Sequence, residues 1–301
     1  MTNSFISGYK AFLQVERNFA TNTIDAYLHD VSLFMEFMAK EHEGLSFKEV
    51  ELKHLQTFMQ SIAKLDFAET SQSRVMSGVK SFFEYLMIEG IITNNPTELL
   101  ESPKRKQKLP VYLSIEEIEQ ILAQIDMSTL EGLRSRAIVE TLYGCGLRVS
   151  ELISIQVSNL FLDVGFIRIF GKGSKERLVP VSGEAIKHIG IYLEHRRPHI
   201  PIKKGHEDFL FLNNRGTKLS RVTINNTVKL LSLKAGIKKN VHPHVFRHSF
   251  ATHLVQAGAD LRAVQDMLGH SSITTTEIYS HLDNTFLRTT LEKYHPRYKE
   301  Q

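Results

Sequence analysis

A chain of 301 residues with 42% hydrophobic and 23% charged residues is long enough for two domains with separate cores and has the composition of an ordinary soluble protein. Its one cysteine, Cys145, excludes an internal disulfide, and no apolar run reaches the length of a membrane span. The N-terminal "MTNSFISGYKAFLQVE" has no basic stretch followed by an apolar one, so the chain reads as cytoplasmic, with no membrane insertion.

The first hundred residues read as helices. "NTIDAYLHDVSLFMEFMAKE" places Ile24, Tyr27, Leu28, Val31, Phe34 and Met38 at helical spacing. "KEVELKHLQTFMQSIAKL" continues the pattern. So does "SQSRVMSGVKSFFEYLMIEG", with Val75, Val79, Phe82, Phe83 and Leu86 as the stripe and Gly90 as a stop. These stripes predict a helix-bundle core. A solvated face is the simpler account of Arg74 and Lys80, with a DNA contact as the alternative.

"NNPTELLESPKRKQKLPVYLS" is the clearest boundary. Pro96, Pro103 and Pro110 break any helix, and Lys104, Arg105, Lys106 and Lys108 crowd the gap. The stretch reads equally as a soluble linker or as a tether along a phosphate backbone. It divides the chain into a helical domain over 1–102, a basic linker over 103–111 and a second domain over 112–301. Charge divides at the same place. Residues 1–107 hold 11 Lys+Arg against 14 Asp+Glu, a net of −3, and the rest hold 26 against 19, a net of +7, which sum to +4. The basic second part points to a polyanionic partner, nucleic acid or a membrane surface.

After the linker, "SIEEIEQIL" opens with a capping box, Ser114 with Glu117. "GFIRIF" and "ERLVPV" are strand-like and flank "GKGSK", which predicts a hairpin with Lys172 at its turn. "DFLFL" predicts a further short strand, and helices resume at "RVTINNTVKLLSLKAG".

"HPHVFRHSFATH" then sets four histidines around Arg247. Pro243 suits a first helical turn and Gly258 a stop, which predicts a helix from about His244 to Ala257. His244 and His248 are four apart, a spacing compatible with zinc, but no Glu stands in an H-E-x-x-H pattern and no cysteine cluster exists. A phosphate fits better. Arginine offers planar bidentate donors, and histidine adds a donor or takes a proton. Other stretches supply similar parts: Arg148 in "GCGLRVSEL", Lys172 in "GKGSKERLVP", and His270 and Tyr279 in "MLGHSSITTTEIYSHL". There is no Walker loop and no acidic metal cluster, so the set points to phosphoryl transfer without a nucleotide.

Those segments, with "YHPR" near the end, resemble the tyrosine recombinases, and most of all the bacterial Xer type that resolves chromosome dimers. "NTIDAYLHDVSLFMEF" and "SRVMSGVKSFFEYLMIEGIITNNPTELLESPK" extend the resemblance over nearly the whole chain. It implies a mainly α fold with a small β-sheet in the catalytic domain, the two domains forming a C-shaped clamp on DNA. The family's catalytic set falls on Arg148, Lys172, His244, Arg247, His270 and the nucleophile Tyr279, with Glu151 supporting the first arginine. Small departures are His242, where smaller polar residues are common, and Cys145, which reads as a packed side chain. His248 and His253 match "RHSFATH" and read as structural.

The resemblance also implies a mechanism and partners. Tyr279 attacks a DNA phosphate, forms a 3′-phosphotyrosine and frees a 5′-hydroxyl, with no cofactor and no metal. His244 takes the tyrosine proton, His270 donates to an oxygen, and Lys172 protonates the leaving oxygen. Partners are a double-stranded DNA site, a second Xer-type recombinase in a tetrameric synapse and a septal DNA translocase as activator. The tail "NTFLRTTLEKYHPR" carries Leu287, Leu291 and Tyr294 on one side of a helix too short to stand alone. It docks either on its own domain or, as the family implies, on the neighbouring recombinase. The alternatives are a recombinase of a mobile element, a type IB topoisomerase, a non-cleaving DNA-binding regulator and, as an outsider, a zinc enzyme.

Overall fold

Apolar side chains at helical spacing build the first hundred residues into four helices: α1 (Thr2–Val15), α2 (Thr21–Glu41), α3 (Leu52–Lys64) and α4 (Glu69–Ile88). The structure is a computed structural model that describes residues 2–65, 67–100, 111–171, 176–269 and 281–298. The chain forms two units, Met1–Lys108 and Leu109–Gln301.

In the first unit, the stripe read from the sequence is the core. Ile24, Val31, Phe34, Met38, Val75, Val79, Phe82, Phe83 and Leu86 are buried, while Tyr27 and Leu28 pack partly buried at its edge. Phe34 meets Phe58 and Phe83 edge to face at 5.3 and 5.7 Å. Each such ring contributes on the order of 2–3 kcal/mol from burial. Gly90 follows α4 with φ +65°, as a helix stop requires.

The second unit is built around one helix. In α6 (Leu130–Gly144) every residue from Ala137 to Gly144 is buried. A helix enclosed on every side along these turns lies at the centre of its unit, and α6 packs against α8 (Gly183–Ile191) and α10 (Pro243–Gln256). Before it, α5 (Ile115–Ala123) carries the capping box. The Glu117 N–H donates to Ser114 Oγ at 3.2 Å and the Ser114 N–H to Glu117 Oε2 at 2.7 Å. After it come the short α7 (Val149–Leu152) and an antiparallel sheet of β1 (Leu160–Phe161), β2 (Phe166–Phe170) and β3 (Glu176–Pro180). The β2–β3 pairing runs from Phe166↔Pro180 to Phe170↔Glu176, the expected hairpin. Lys172, the residue expected at its turn, lies outside the described residues.

"DFLFL" forms no strand. Phe209 and Leu212 each make one isolated bridge, to Gln156 and Lys218, while Leu210, Phe211 and Leu212 are buried. Its apolar run fills the core without a ladder partner. Among the described residues, three further α-helices follow: α9 (Arg221–Lys234), α11 (Leu261–Leu268) and α12 (His281–Tyr294).

The tail docks at home. Leu287 and Leu291 of α12 are buried in the unit's own core, against β3, α10 and α11. Beyond it His295 is 2% exposed, with its ring 4.8 Å from that of Tyr143 and 5.3 Å from that of Phe250. Arg297 donates to Glu140 and Glu119 and lies 3.6 Å from Glu184. These three carboxylates come from α6, α5 and α8.

Burial holds His295 down at about 3, with His253 and Arg297 adding to the effect. The folded state therefore refuses a proton that the unfolded chain accepts near 6.5. This contribution to stability is complete above that value and is lost as pH falls toward 3, about 2 kcal/mol by pH 5. The thermal midpoint should drop between about pH 7.5 and about pH 5, and should drop several degrees less in His295→Phe, which keeps the ring contacts. Parallel drops in the two proteins would show that His295 is not the group responsible.

Candidate active site

The site begins where α6 ends. Gly146 takes φ +60°, and a Cβ there would sit 2.5 Å from the Phe250 ring, so only glycine makes this turn. Cys145 is fully buried, and burial pushes its thiol up to about 12, consistent with a packing role. The turn exposes the Gly146 carbonyl to Arg247 Nη1 at 2.8 Å and delivers Arg148 to the start of α7.

Arg148 and Glu151 close on each other across the first turn of α7. The Arg148 N–H donates to Glu151 Oε2 at 2.8 Å, and Arg148 Nη1 to Oε1 at 2.9 Å. Glu151 is 5% exposed and receives a second guanidinium, that of Arg177 on β3. Arg177 Nη1 donates to Oε1 at 2.9 Å and Nη2 to Oε2 at 3.1 Å. A third, Arg247 of α10, brings Nη1 to 3.8 Å from Oε2. Burial alone would raise the Glu151 carboxyl, but the Arg177 and Arg148 donors outweigh it and hold it below the usual carboxylate range.

The same three arginines meet the carbonyl end of α11. Arg177 Nε donates to Met267 O at 3.4 Å, Arg247 Nη2 to Leu268 O at 2.6 Å and Arg148 Nη2 to Gly269 O at 3.3 Å. Three successive carbonyls that a helix leaves unpaired thus each take one guanidinium, at the helix's negative end. Gly269 has φ +65°, and a Cβ there would lie 2.9 Å from Arg177 Nε.

Arg247 is 8% exposed, and burial, then the Arg148 charge, draws its guanidinium down to about 10. It stays protonated at neutral pH. His244 lies one turn before it on α10 and is exposed. Desolvation of the part of its ring that packs on the protein, then His242, Arg247 and Arg148, holds it below the ordinary histidine value, so it is available as a proton acceptor. His244, His242, Val149, Arg221, Val222 and Asn225 line a depression of about 310 Å³.

The structure thus brings together Arg148, Glu151 and Arg247, with His244 on the same helix as the last. Lys172, His270 and Tyr279 lie outside the described residues, as do Lys104, Arg105, Lys106 and Lys108. Arg74 and Lys80 are partly exposed, and each bonds within its own unit. Arg74 Nη1 donates to Asp30 Oδ2 at 2.7 Å and Ala26 O at 3.1 Å, and Lys80 Nζ to Leu100 O at 2.6 Å. Asp30 is fully buried; burial, opposed by Arg74, raises it to about 6. His253 is structural, its Nδ1 2.7 Å from the Tyr143 hydroxyl. Among the described residues one group has metal-ligand spacing, Glu140, Glu184 and His188. Its Glu140 already holds Arg136 at 3.0 Å and Arg297.

Two features escaped the sequence reading. Arg177 shares a strand face with buried Val179, and that two-residue spacing is a signal that an inward arginine needs a carboxylate. The exposed first turns of α9, with Arg221, Val222 and Asn225, border the depression that holds His244.

Two family models match the sequence. One is described as the phage integrase family and covers residues 112–285; the other, the phage integrase N-terminal SAM-like domain, covers residues 6–90. The tyrosine recombinase XerD of Staphylococcus aureus is 40% identical over 295 residues, covering 98% of this chain and 99% of that protein. That of Oceanobacillus iheyensis is 39% identical over 292 residues, covering 97% and 98%. Among solved structures, the XerH site-specific recombinase bound to a palindromic difH substrate, in a post-cleavage complex, matches with TM-score 0.71 and 27% identity over 92% of this chain and 81% of that one. The integrase of transposon Tn1549 in complex with circular intermediate DNA shares the fold, with TM-score 0.72 and 22% identity over 94% and 98%.

Glu151 is the one carboxylate that the three guanidiniums share, so its removal leaves buried positive charge unpaired. Glu151→Ala should destabilise the chain by about 3–5 kcal/mol in urea unfolding. Glu151→Gln, which keeps one acceptor oxygen, should cost less. A loss below about 1 kcal/mol in both, the range of exposed pairs, would contradict this account of the cluster.

Proposed function

The chain belongs to the phage integrase family and is a site-specific DNA recombinase of the Xer type; we propose that it cuts and rejoins DNA through a 3′-phosphotyrosyl link on Tyr279 and resolves chromosome dimers at cell division. The observation that carries the chemistry is the pairing of Arg148 and Arg247 about buried Glu151, with His244 one turn away.

The tyrosine oxygen forms a bond to the scissile phosphorus, and the bond from phosphorus to the 5′-oxygen breaks. The ester energy is kept in the protein–DNA link, so rejoining needs no nucleotide. Arg148 and Arg247 hold the non-bridging oxygens and balance the charge that grows on them. A tyrosine hydroxyl with a pKa of about 10 must give up its proton as it attacks. His244, held below its usual value, receives it. His270 donates to a phosphate oxygen, and Lys172 protonates the departing 5′-oxygen.

Sequence is read by α9. Its exposed Asn225 and Asn226 offer the amide geometry that pairs with adenine edges, and Val222 is apolar surface for a thymine methyl. Arg221 and the basic linker hold phosphates. The partners are a double-stranded target site, a second Xer-type recombinase in a four-protomer synapse and a septal DNA translocase that activates it. The XerD relatives support the role in dimer resolution, and XerH, solved on its difH substrate, supports the DNA site. None of the described helices is long and apolar enough to cross a membrane, and the proposed setting is the cytoplasm.

A nicked suicide duplex carrying the target site tests the chemistry. The wild-type chain should form a denaturant-stable adduct, and Tyr279→Phe should bind equally and form none; an adduct in that variant would remove Tyr279 as nucleophile. The biological role is tested by mapping where the chain is trapped covalently across a genome. Trapping at one locus near the replication terminus is expected, whereas trapping at scattered element borders would make this a mobile-element recombinase.

A further inference from the structure

Arg177 belongs to none of the roles above, yet it makes the two-pronged guanidinium contact with Glu151, its side chain 9% exposed. Each of its three nitrogens is engaged with the protein: Nη1 and Nη2 with the two oxygens of Glu151, and Nε with Met267 O. Arg148 differs, its side chain 36% exposed and open to a ligand. Arg177 therefore joins three pieces of chain: β3, the first turn of α7 and the carbonyl end of α11. Gly269, the next residue after α11, has room for Arg177 only because it lacks a Cβ.

We propose that Arg177 is a positioning residue for DNA cleavage: its fork fixes Glu151 and the end of α11 together, so that Arg148 and Arg247 present their remaining donors to the scissile phosphate in one geometry. The inference rests on the reading of Arg148 and Arg247 as the phosphate-holding pair. Without the fork, Glu151 keeps its bond from the Arg148 backbone but is free to rotate, and the Arg148 guanidinium rotates with it. An ammonium at the same place keeps the charge but cannot span both carboxylate oxygens and a carbonyl.

The test uses the full chain, the nicked suicide duplex and a second duplex whose scissile phosphate is a methylphosphonate. The methyl group replaces one charged oxygen, so that substrate needs less neutralisation, and a variant whose fault is a misplaced Arg148 should lose less on it. Arg177→Gln should bind DNA within about threefold of wild type yet cleave the ordinary duplex about ten- to a hundredfold more slowly at saturating protein. That deficit, taken against wild type on each substrate, should shrink at least about fivefold on the methylphosphonate. Arg177→Lys, which preserves charge and bulk, should melt with the wild type and still cleave the ordinary duplex more slowly. Arg177→Gln cleaving at the wild-type rate, an equal deficit on both substrates or full activity in Arg177→Lys would each overturn the proposal. Arg148→Ala is the control. If it too cleaves normally, the phosphate-holding reading fails; if it alone shows the deficit and its relief, only the role of Arg177 fails.

Discussion

One buried carboxylate, that of Glu151, holds the site together against charge repulsion. Three guanidiniums converge on it, from α7, β3 and α10. Taking each ion from water costs several kcal/mol, and one carboxylate balances one cation in full. The carbonyl end of α11 supplies much of the rest, offering Met267, Leu268 and Gly269 oxygens to the three arginines in turn. The cluster remains net positive. That residual charge is what a phosphodiester needs, and it is needed most when negative charge accumulates during the transfer. The lowering of Arg247 to about 10 comes first from burial and then from the neighbouring Arg148 charge.

This arrangement explains why distant pieces of chain must fold as one. Arg247 reaches back to the Gly146 carbonyl at 2.8 Å, tying α10 to the turn that launches Arg148. Both glycines of the site do two things at once. Gly146 turns the chain and leaves space for Phe250, and Gly269 ends α11 and leaves space for Arg177. The chain continues from Gly269 straight into His270. The bonds that orient the arginines therefore also set the point from which that candidate proton donor departs.

What was legible in the sequence was local. Helical stripes in the first unit, the Ser114–Glu117 box, the β2–β3 hairpin and the start of α10 at Pro243 depend on neighbours a few residues away, and each was read at its place. Arg148, His244 and Arg247 were read as residue types that suit a phosphate and Glu151 through family resemblance, because spacing alone does not say that residues a hundred apart meet. Arg177 was quoted within its motif and passed over, since its partner lies on α7 and strand periodicity shows only that it faces inward. The protein-side bonds of Arg74 and Lys80 were not legible for a similar reason. Nothing local reveals that Asp30 is fully buried and binds Arg74. "DFLFL" misled because a short apolar run that fills a core does not differ in composition from one that joins a ladder.

The tail adds the last constraint. Leu287 and Leu291 each contribute on the order of 2 kcal/mol by burial in their own unit. Arg288 donates to Val164 O at 3.0 Å, and Arg297 is held among Glu119, Glu140 and Glu184. Tyr279 precedes the first residue of α12, His281, by two residues. A neighbouring protomer that competed for α12 would have to replace the burial of Leu287 and Leu291 and the bonds of Arg297.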